Sequence, residues 1–272
     1  MTGWHNIDIR LLPPSPQLAK AVKCYYYMEN PHNILIEDTF FADGCIEAVF
    51  SLDWEFYKEG RREDQAKVIG QIIEPRALTI QGKGRSFGVW FYPHTFSYFI
   101  KVPMYEMNDR IVSWDDLFSR DLSEFVGNCL SDGSHERLVD GVDRFLIGKL
   151  AMHPRKRMDD AIGFAVDYLL QKKSEADLDA LARQLNVSHR TLQRAFLERV
   201  GYSQKHFLRV ARFQDALRDL REGTMTTLTE IAHAHHYFDQ PHFIREFKSF
   251  TGFAPSEFQV SRLPINQHFL GV

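Results

Sequence analysis

Two stretches carry side chains suited to planar, two-point hydrogen bonding: "SHRTLQRAF" (188–196) and "DQPHFIREF" (239–247). In the first, Leu192, Phe196 and Val200 fall on one helical stripe, which leaves Arg190, Gln193 and Arg194 away from it or at its edge. In the second, Phe243, Phe247 and Phe250 form the stripe, and Gln240, His242 and Arg245 lie off it. A guanidinium fork matches the two acceptors on the edge of guanine and a carboxamide matches adenine, so both faces have the chemistry of base readout. The plainer alternative is a solvated helix face carrying ordinary charges.

Catalytic constellations are missing by comparison. Residues 33–112 contain a single histidine, His94, beside Asp38, Glu47 and Asp53, too few for a metal-dependent enzyme built on histidine ligands, so no metal is expected. "HAHH" (233–236) sits at a helix end, where histidines face solvent or favour the C-terminal dipole. Cys24, Cys45 and Cys129 form no CxxC pair and no disulfide-sized set, and neither Cys24 nor Cys45 stands in a Pro-Cys-His-Arg-like activating context, so buried thiols are expected. "QGKGR" (81–85) has the wrong spacing for a phosphate loop and suits a hairpin turn. No catalytic residue and no cofactor is therefore expected.

The elements that must carry these residues divide the chain in two. "ILIEDTFF", "CIEAVFSLDWEFY", "KVIGQII", "ALTIQG" and "RSFGVWFYPHTFSYFIKV" are rich in β-branched and aromatic residues, which predicts a small barrel or sandwich over 33–112. "SWDDLFSRDLSEFVGNCL" and "SHERLVDGVDRFLIGKLA" then repeat apolar residues at helical spacing and suit a dimerisation or docking pair. "MHPRKRMDD" is the linker candidate, and everything after it is helical. The expected organisation is α+β: a β-rich domain with a helical pair over 1–150 and an all-α domain over 151–272. Tyr25, Trp54 and Trp90 could line an apolar effector pocket in the first, with Glu47 and Arg85 as polar anchors.

Charge follows the same division. Residues 151–272 hold 17 Lys/Arg against 14 Asp/Glu, while 1–150 hold 16 against 22, so an anionic partner suits the C-terminal part. No run of about 18 apolar residues exists, so no membrane span is expected. The N-terminus lacks the pattern of a signal peptide, which points to the cytoplasm.

The helical part repeats itself at an offset of 51: Leu192 matches Phe243, Arg194 matches Arg245, Phe196 matches Phe247 and Gly201 matches Gly252. A short helix precedes each copy, so two helix-turn-helix units are predicted. A helix from Ser203 to about Glu222 joins them and spans roughly 30 Å, close to one turn of B-DNA, so both second helices could enter successive major grooves on one face. Thr229, Lys205, Lys248, Thr251 and Ser256, near helix starts or loops, are candidates for DNA-backbone contact, with capping or solvation as the competing roles.

Residues 157–260, through "LARQLNVSHRTLQRAFLERVGYS", "FLRVARFQDAL" and "IAHAHHYFDQPHFIREFKSFTGFAPSEF", resemble the DNA-binding domain of the AraC/XylS family of transcription regulators. More loosely, "FADGCIEAVFSL" and "FGVWFYPHTFSYFIKVP" resemble the β-rich, cupin-like regulatory domain of some members. The resemblance implies a sequence-specific regulator of operator DNA, an activator or repressor, with a small-molecule effector, a homodimer partner and, for an activator, RNA polymerase as further partners. It also implies that Arg190, Gln193, Arg194, Gln240, His242 and Arg245 meet bases or grip the backbone. The chain departs from the family at His236, where a glycine is usual, and a strained or shifted second turn is expected. An enzyme or ligand-binding protein whose C-terminal helices bind another protein is the alternative.

Overall fold

Alternation along the strands builds the N-terminal half. The computed structural model describes residues 7–152, 156–223, 225 and 227–258. Eight strands, β1 (Asp8–Leu12), β2 (Val22–Phe40), β3 (Ile46–Leu52), β4 (Glu55–Lys58), β5 (Arg61–Arg62), β6 (Ala66–Ile69), β7 (Arg76–Phe91) and β8 (Ile111–Ser113), form one antiparallel sheet. Its order is β1-β2-β7-β3-β6-β8, with β4 on β7 and β5 on β4. Because side chains alternate across the pleat, Tyr25 and Tyr27 enter one apolar cluster while Tyr26 and Met28 enter another.

The first cluster, with Phe50, Phe87 and Phe91, is covered by the helices α1 (Trp114–Leu117), α2 (Arg120–Asp132) and α3 (His135–Met152). Leu122, Val126, Leu138, Val142 and Leu146 are buried there, so the helical pair spends its apolar face on the core of its own domain. The second cluster gathers Trp54, Phe56, Leu78 and Ile80. At Gly88 a side chain would run into the Tyr26 ring, so the glycine makes room for it.

The sheet corrects three sequence expectations. "QGKGR" is no hairpin: it lies inside β7, opposite a register shift between Asn30 and Ile34 in β2. A β-carbon on Gly84 would come within 2.3 Å of the Leu52 carbonyl oxygen, so the glycine serves a close crossing of backbones. β2 begins at Val22, well before the predicted start, because the three tyrosines are strand residues. "HTFSYFIKV" turns into a 3-10 segment at Phe96–Tyr98 instead of continuing a strand.

Among the described residues six α-helices follow: α4 (Arg157–Lys172), α5 (Leu178–Gln184), α6 (His189–Val200), α7 (Gln204–Glu222), α8 (Leu228–Ala234) and α9 (Gln240–Thr251). Part of the linker candidate, residues 153–155, lies outside the described residues. Ile162, Ala165, Val166 and Leu169 line the buried side of α4, and Leu170 is exposed. Phe41 and Ala42, just after β2, join Phe213 and Phe247 in one buried cluster, with the Phe41 and Phe213 ring centres 6.1 Å apart, so the sheet domain contributes to a helical core. Asn108 Nδ2 donates to the Gly201 carbonyl at 2.7 Å and Gln214 Nε2 to the Ala42 carbonyl at 2.5 Å, tying the sheet domain to α6 and α7. Among the described residues no helix is long and apolar enough to cross a membrane.

Candidate nucleic-acid interface

Local capping chemistry sets each helix of the two units. Asp177 accepts from the amides of Asp179 and Ala180 at the start of α5, and Ser188 Oγ accepts from Thr191 N at 3.1 Å at the start of α6. α6 stops at Gly201, whose φ of +100° needs no β-carbon. The second unit repeats this chemistry. Thr227 and Glu230 form a reciprocal capping box on α8, Asp239 Oδ1 accepts from His242 N at 2.7 Å on α9, and Gly252 ends α9.

The turns inside the units are alike in detail. Val187 N donates to the Ala182 carbonyl at 3.1 Å, and Tyr237 N donates to the Ala232 carbonyl at 2.9 Å. Asn186 and His236 both take left-handed backbone, with φ of +55° and +57°. The expected shift at His236 is therefore absent: its side chain bears the steric cost of that conformation, about 1–2 kcal/mol, without changing the turn. The one-residue difference between the copies falls later, at Phe238, between Tyr237 and the Asp239 cap.

Inward faces agree with the predicted stripes. Leu192, Phe196 and Val200 are buried beneath α6, and Phe243, Phe247 and Phe250 beneath α9. Arg190, Gln193 and Arg194 are exposed on α6, and the nearest acid to Arg194, Glu198, is 3.9 Å away on a solvated pair. On α9, Arg245 is exposed. Gln240 differs, because its carbonyl oxygen accepts from Thr229 Oγ1 at 2.7 Å and both groups are thereby oriented.

His242 and Thr251 depart from their assigned roles. His242 Nδ1 accepts from the Phe238 amide at 3.3 Å and its Nε2 lies 4.0 Å from Glu246, so the ring supports the helix start. Thr251 is buried, its hydroxyl donating to the Phe247 carbonyl at 2.9 Å and accepting from Phe253 N at 3.1 Å, so it caps the helix end and is not available to a phosphate. Lys205, Thr229, Lys248 and Ser256 are exposed.

Glu246 was hidden from the sequence pattern because it stands next to Phe247 inside the apolar stripe. Its carboxylate is buried and receives Arg209 Nε at 2.8 Å and Arg212 Nη2 at 2.6 Å, both from α7. Arg212 also lies over the Tyr237 ring, 4.2 Å from its centre. The Arg-x-x-Arg spacing on α7 was the available signal, since residues three apart share a helix face.

Of the five proposed effector residues, Glu47 and Trp90 share one cavity, while Tyr25, Trp54 and Arg85 lie elsewhere. A cavity of about 50 Å³ in the sheet domain is lined by Tyr26, Phe41, Cys45, Glu47 and Trp90 among others. Tyr25 points to the opposite face and donates its hydroxyl to Asp143. Trp54 is buried elsewhere in the second cluster, and Arg85 pairs with Glu29 at 3.0 Å and donates to the Leu130 carbonyl. Alternation across the strands separates Tyr25 from Glu47 and Trp90, which the sequence grouped together.

Glu47 accepts from the Tyr26 hydroxyl, and burial pushes its carboxyl up to about 7. Burial likewise pushes Lys67, whose ammonium lies 3.6 Å from the Phe56 ring centre, down to about 7. A carboxyl raised on folding takes up a proton, so the stability it contributes is present in acid and is lost as pH rises through about 7. Relative to wild type, Glu47→Gln should gain up to about 2 kcal/mol between about pH 5 and about pH 7. Urea titrations of both proteins at the two pH values check this; parallel profiles would show that Glu47 titrates normally.

Two compact helical units, each with an exposed basic and amide-bearing face on its second helix and joined by one rigid helix, define a double helix-turn-helix DNA-binding protein. Residues 181–261 match the family described as a helix-turn-helix domain, and residues 10–113 match a domain of unknown function, DUF6597. The helix-turn-helix domain at 181–261 is of the AraC type, in line with the resemblance seen in the sequence, and supports a DNA-binding transcription regulator.

Solved structures similar to the chain include ToxT from Vibrio cholerae O395, at 12% identity and TM-score 0.43 over 95% of this chain and 97% of that one. The C-terminal domain of AraT, a response regulator from Geobacillus stearothermophilus, is 27% identical at TM-score 0.33 over 40% of this chain and 88% of its own. The DNA-binding domain of AdpA, a global transcriptional factor solved with a target DNA, is 20% identical at TM-score 0.29 over 42% and 96%. No curated protein gives a significant match.

Proposed function

We propose that the protein regulates transcription by sequence-specific binding to operator DNA, with α6 and α9 entering successive major grooves on one face of the duplex. The observation that carries this is the pairing of two like-built units across α7, whose 19 residues extend about 28 Å, against roughly 34 Å for a turn of B-DNA. Arg190, Gln193 and Arg194 read bases from the first unit, and Arg245, with the oriented Gln240, from the second. Exposed Lys205, Lys248 and Ser256 hold phosphates, which fixes the register on the duplex.

The sheet domain modulates this activity. Phe41 and Cys45 line its cavity, and Phe41 also packs on Phe213 of α7, so a small molecule that displaced this wall would act on the joint between the two units. The regulator acts by binding, carries out no catalysis and works in the cytoplasm. A homodimer on paired sites and, for activation, contact with RNA polymerase complete the scheme.

Duplexes retained by the wild-type protein from a random pool supply the probe. On them Arg190→Ala or Gln193→Ala should lose about 1–3 kcal/mol of binding and relax base preference. Wild-type affinity should fall steeply with salt, because phosphate neutralisation releases counterions. Equal titration of variants and wild type at one salt concentration would remove these residues from the interface.

A further inference from the structure

We infer that Phe238 is a further specificity residue, reading thymine C5-methyl groups in the major groove beside the start of α9. The inference rests on the DNA-reading assignment above. Phe238 is the additional residue of the second unit: the first passes from Asn186 through Val187 straight to its cap Ser188, whereas the second passes from His236 through Tyr237 and then Phe238 to Asp239. Tyr237 takes the inward direction and is buried against Phe243, with ring centres 5.1 Å apart. Phe238 is thereby turned outward.

Its exposure is 88%, against 39–73% for the other exposed large apolar residues described. The fold itself gains little from this ring. The backbone that carries it is nevertheless held: the Phe238 amide donates to His242 Nδ1, and the next residue, Asp239, caps α9. A phenyl ring is thus presented at the N-terminal end of a reading helix, one residue from the cap and two from Gln240.

That end of a recognition helix is where side chains meet base edges. The groove offers an apolar ring one matching surface, the methyl group that distinguishes thymine from the other bases. The expected code for the second unit therefore combines polar readout from Arg245 and Gln240 with a methyl contact from Phe238. The first unit, whose corresponding connection goes directly from Val187 to Ser188, lacks that contact.

Deoxyuridine tests this, because it removes only the methyl. The probe is a duplex selected by full-length wild-type protein from a random pool, with each thymine replaced in turn by deoxyuridine. At one or two positions the replacement should weaken wild-type binding about fourfold, the scale of one buried methyl group. Phe238→Ser should bind the parent duplex more weakly and lose its response at those same positions, while melting at the wild-type temperature. The proposal is overturned if wild type tolerates every replacement, or if wild type and Phe238→Ser respond alike. Failure of wild type to retain any duplex would overturn the DNA-reading assignment itself, and the methyl contact with it.

Discussion

Phe213→Ala is expected to cost about 3–5 kcal/mol, the range for deleting a fully enclosed phenyl ring that leaves a cavity. Phe213 is completely buried in α7, with ring centres 4.8 Å from Phe250, 5.6 Å from Phe247 and 6.1 Å from Phe41. Three parts of the molecule meet on this ring: the spacer helix α7, the helix α9 and the segment just after β2. Losing it should loosen the second unit and uncouple the sheet domain at once. Urea denaturation gives the stability, and Phe41→Ala on the other side of the contact should cost less and be non-additive with Phe213→Ala, as contacting residues are. A loss below about 1 kcal/mol for Phe213→Ala would mean that the joint is softer than its packing indicates.

That joint also explains which features were legible in the sequence. The helical units could be read because every signal there is local: Ser188 and Asp239 cap, Gly201 and Gly252 terminate, and the Leu192 and Phe243 stripes repeat at helical spacing. Long-range pairing decides the rest. Whether Gly82 and Gly84 make a turn or a bend in a strand depends on where the Leu52–Asp53 backbone crosses, and no neighbour of "QGKGR" in sequence reports that. Tyr25 is separated from Glu47 and Trp90 for the same reason, because Tyr25 and Glu47 belong to strands whose facing sides are set only once β7 lies between them. At His236 the expected strain is present and the expected shift is not. Asp239, Thr227 and the Tyr237 N–H bond to Ala232 over-determine that turn, so a non-glycine residue is held in left-handed backbone.

Glu246→Ala should be the second severe substitution, costing about 2–3 kcal/mol, although it removes no apolar packing. Glu246 is 5% exposed, and its loss would leave Arg212 and Arg209 without their acceptor; the figure is set below the usual cost of breaking a buried pair because Arg209 is 44% exposed. Glu246→Gln keeps an acceptor but loses the charge, and should fall between wild type and alanine. The contrast is Glu198→Ala: Glu198 faces Arg194, 74% exposed, at 3.9 Å and Arg199 at 3.4 Å, and Arg199 keeps its closer partner Asp159 at 2.6 Å, so the change should alter stability by no more than about 0.5 kcal/mol. Salt separates the two cases: the Glu246 deficit should persist at high ionic strength, since a buried pair is little screened. Binding to selected duplex should weaken with the deficit, because the two arginines hold α9, and with it Arg245 and Phe238, at a fixed angle to α7. If Glu246→Ala matched wild type in both stability and duplex affinity, the pair would be incidental and packing by Phe243, Phe247 and Phe250 alone would orient the second reading helix.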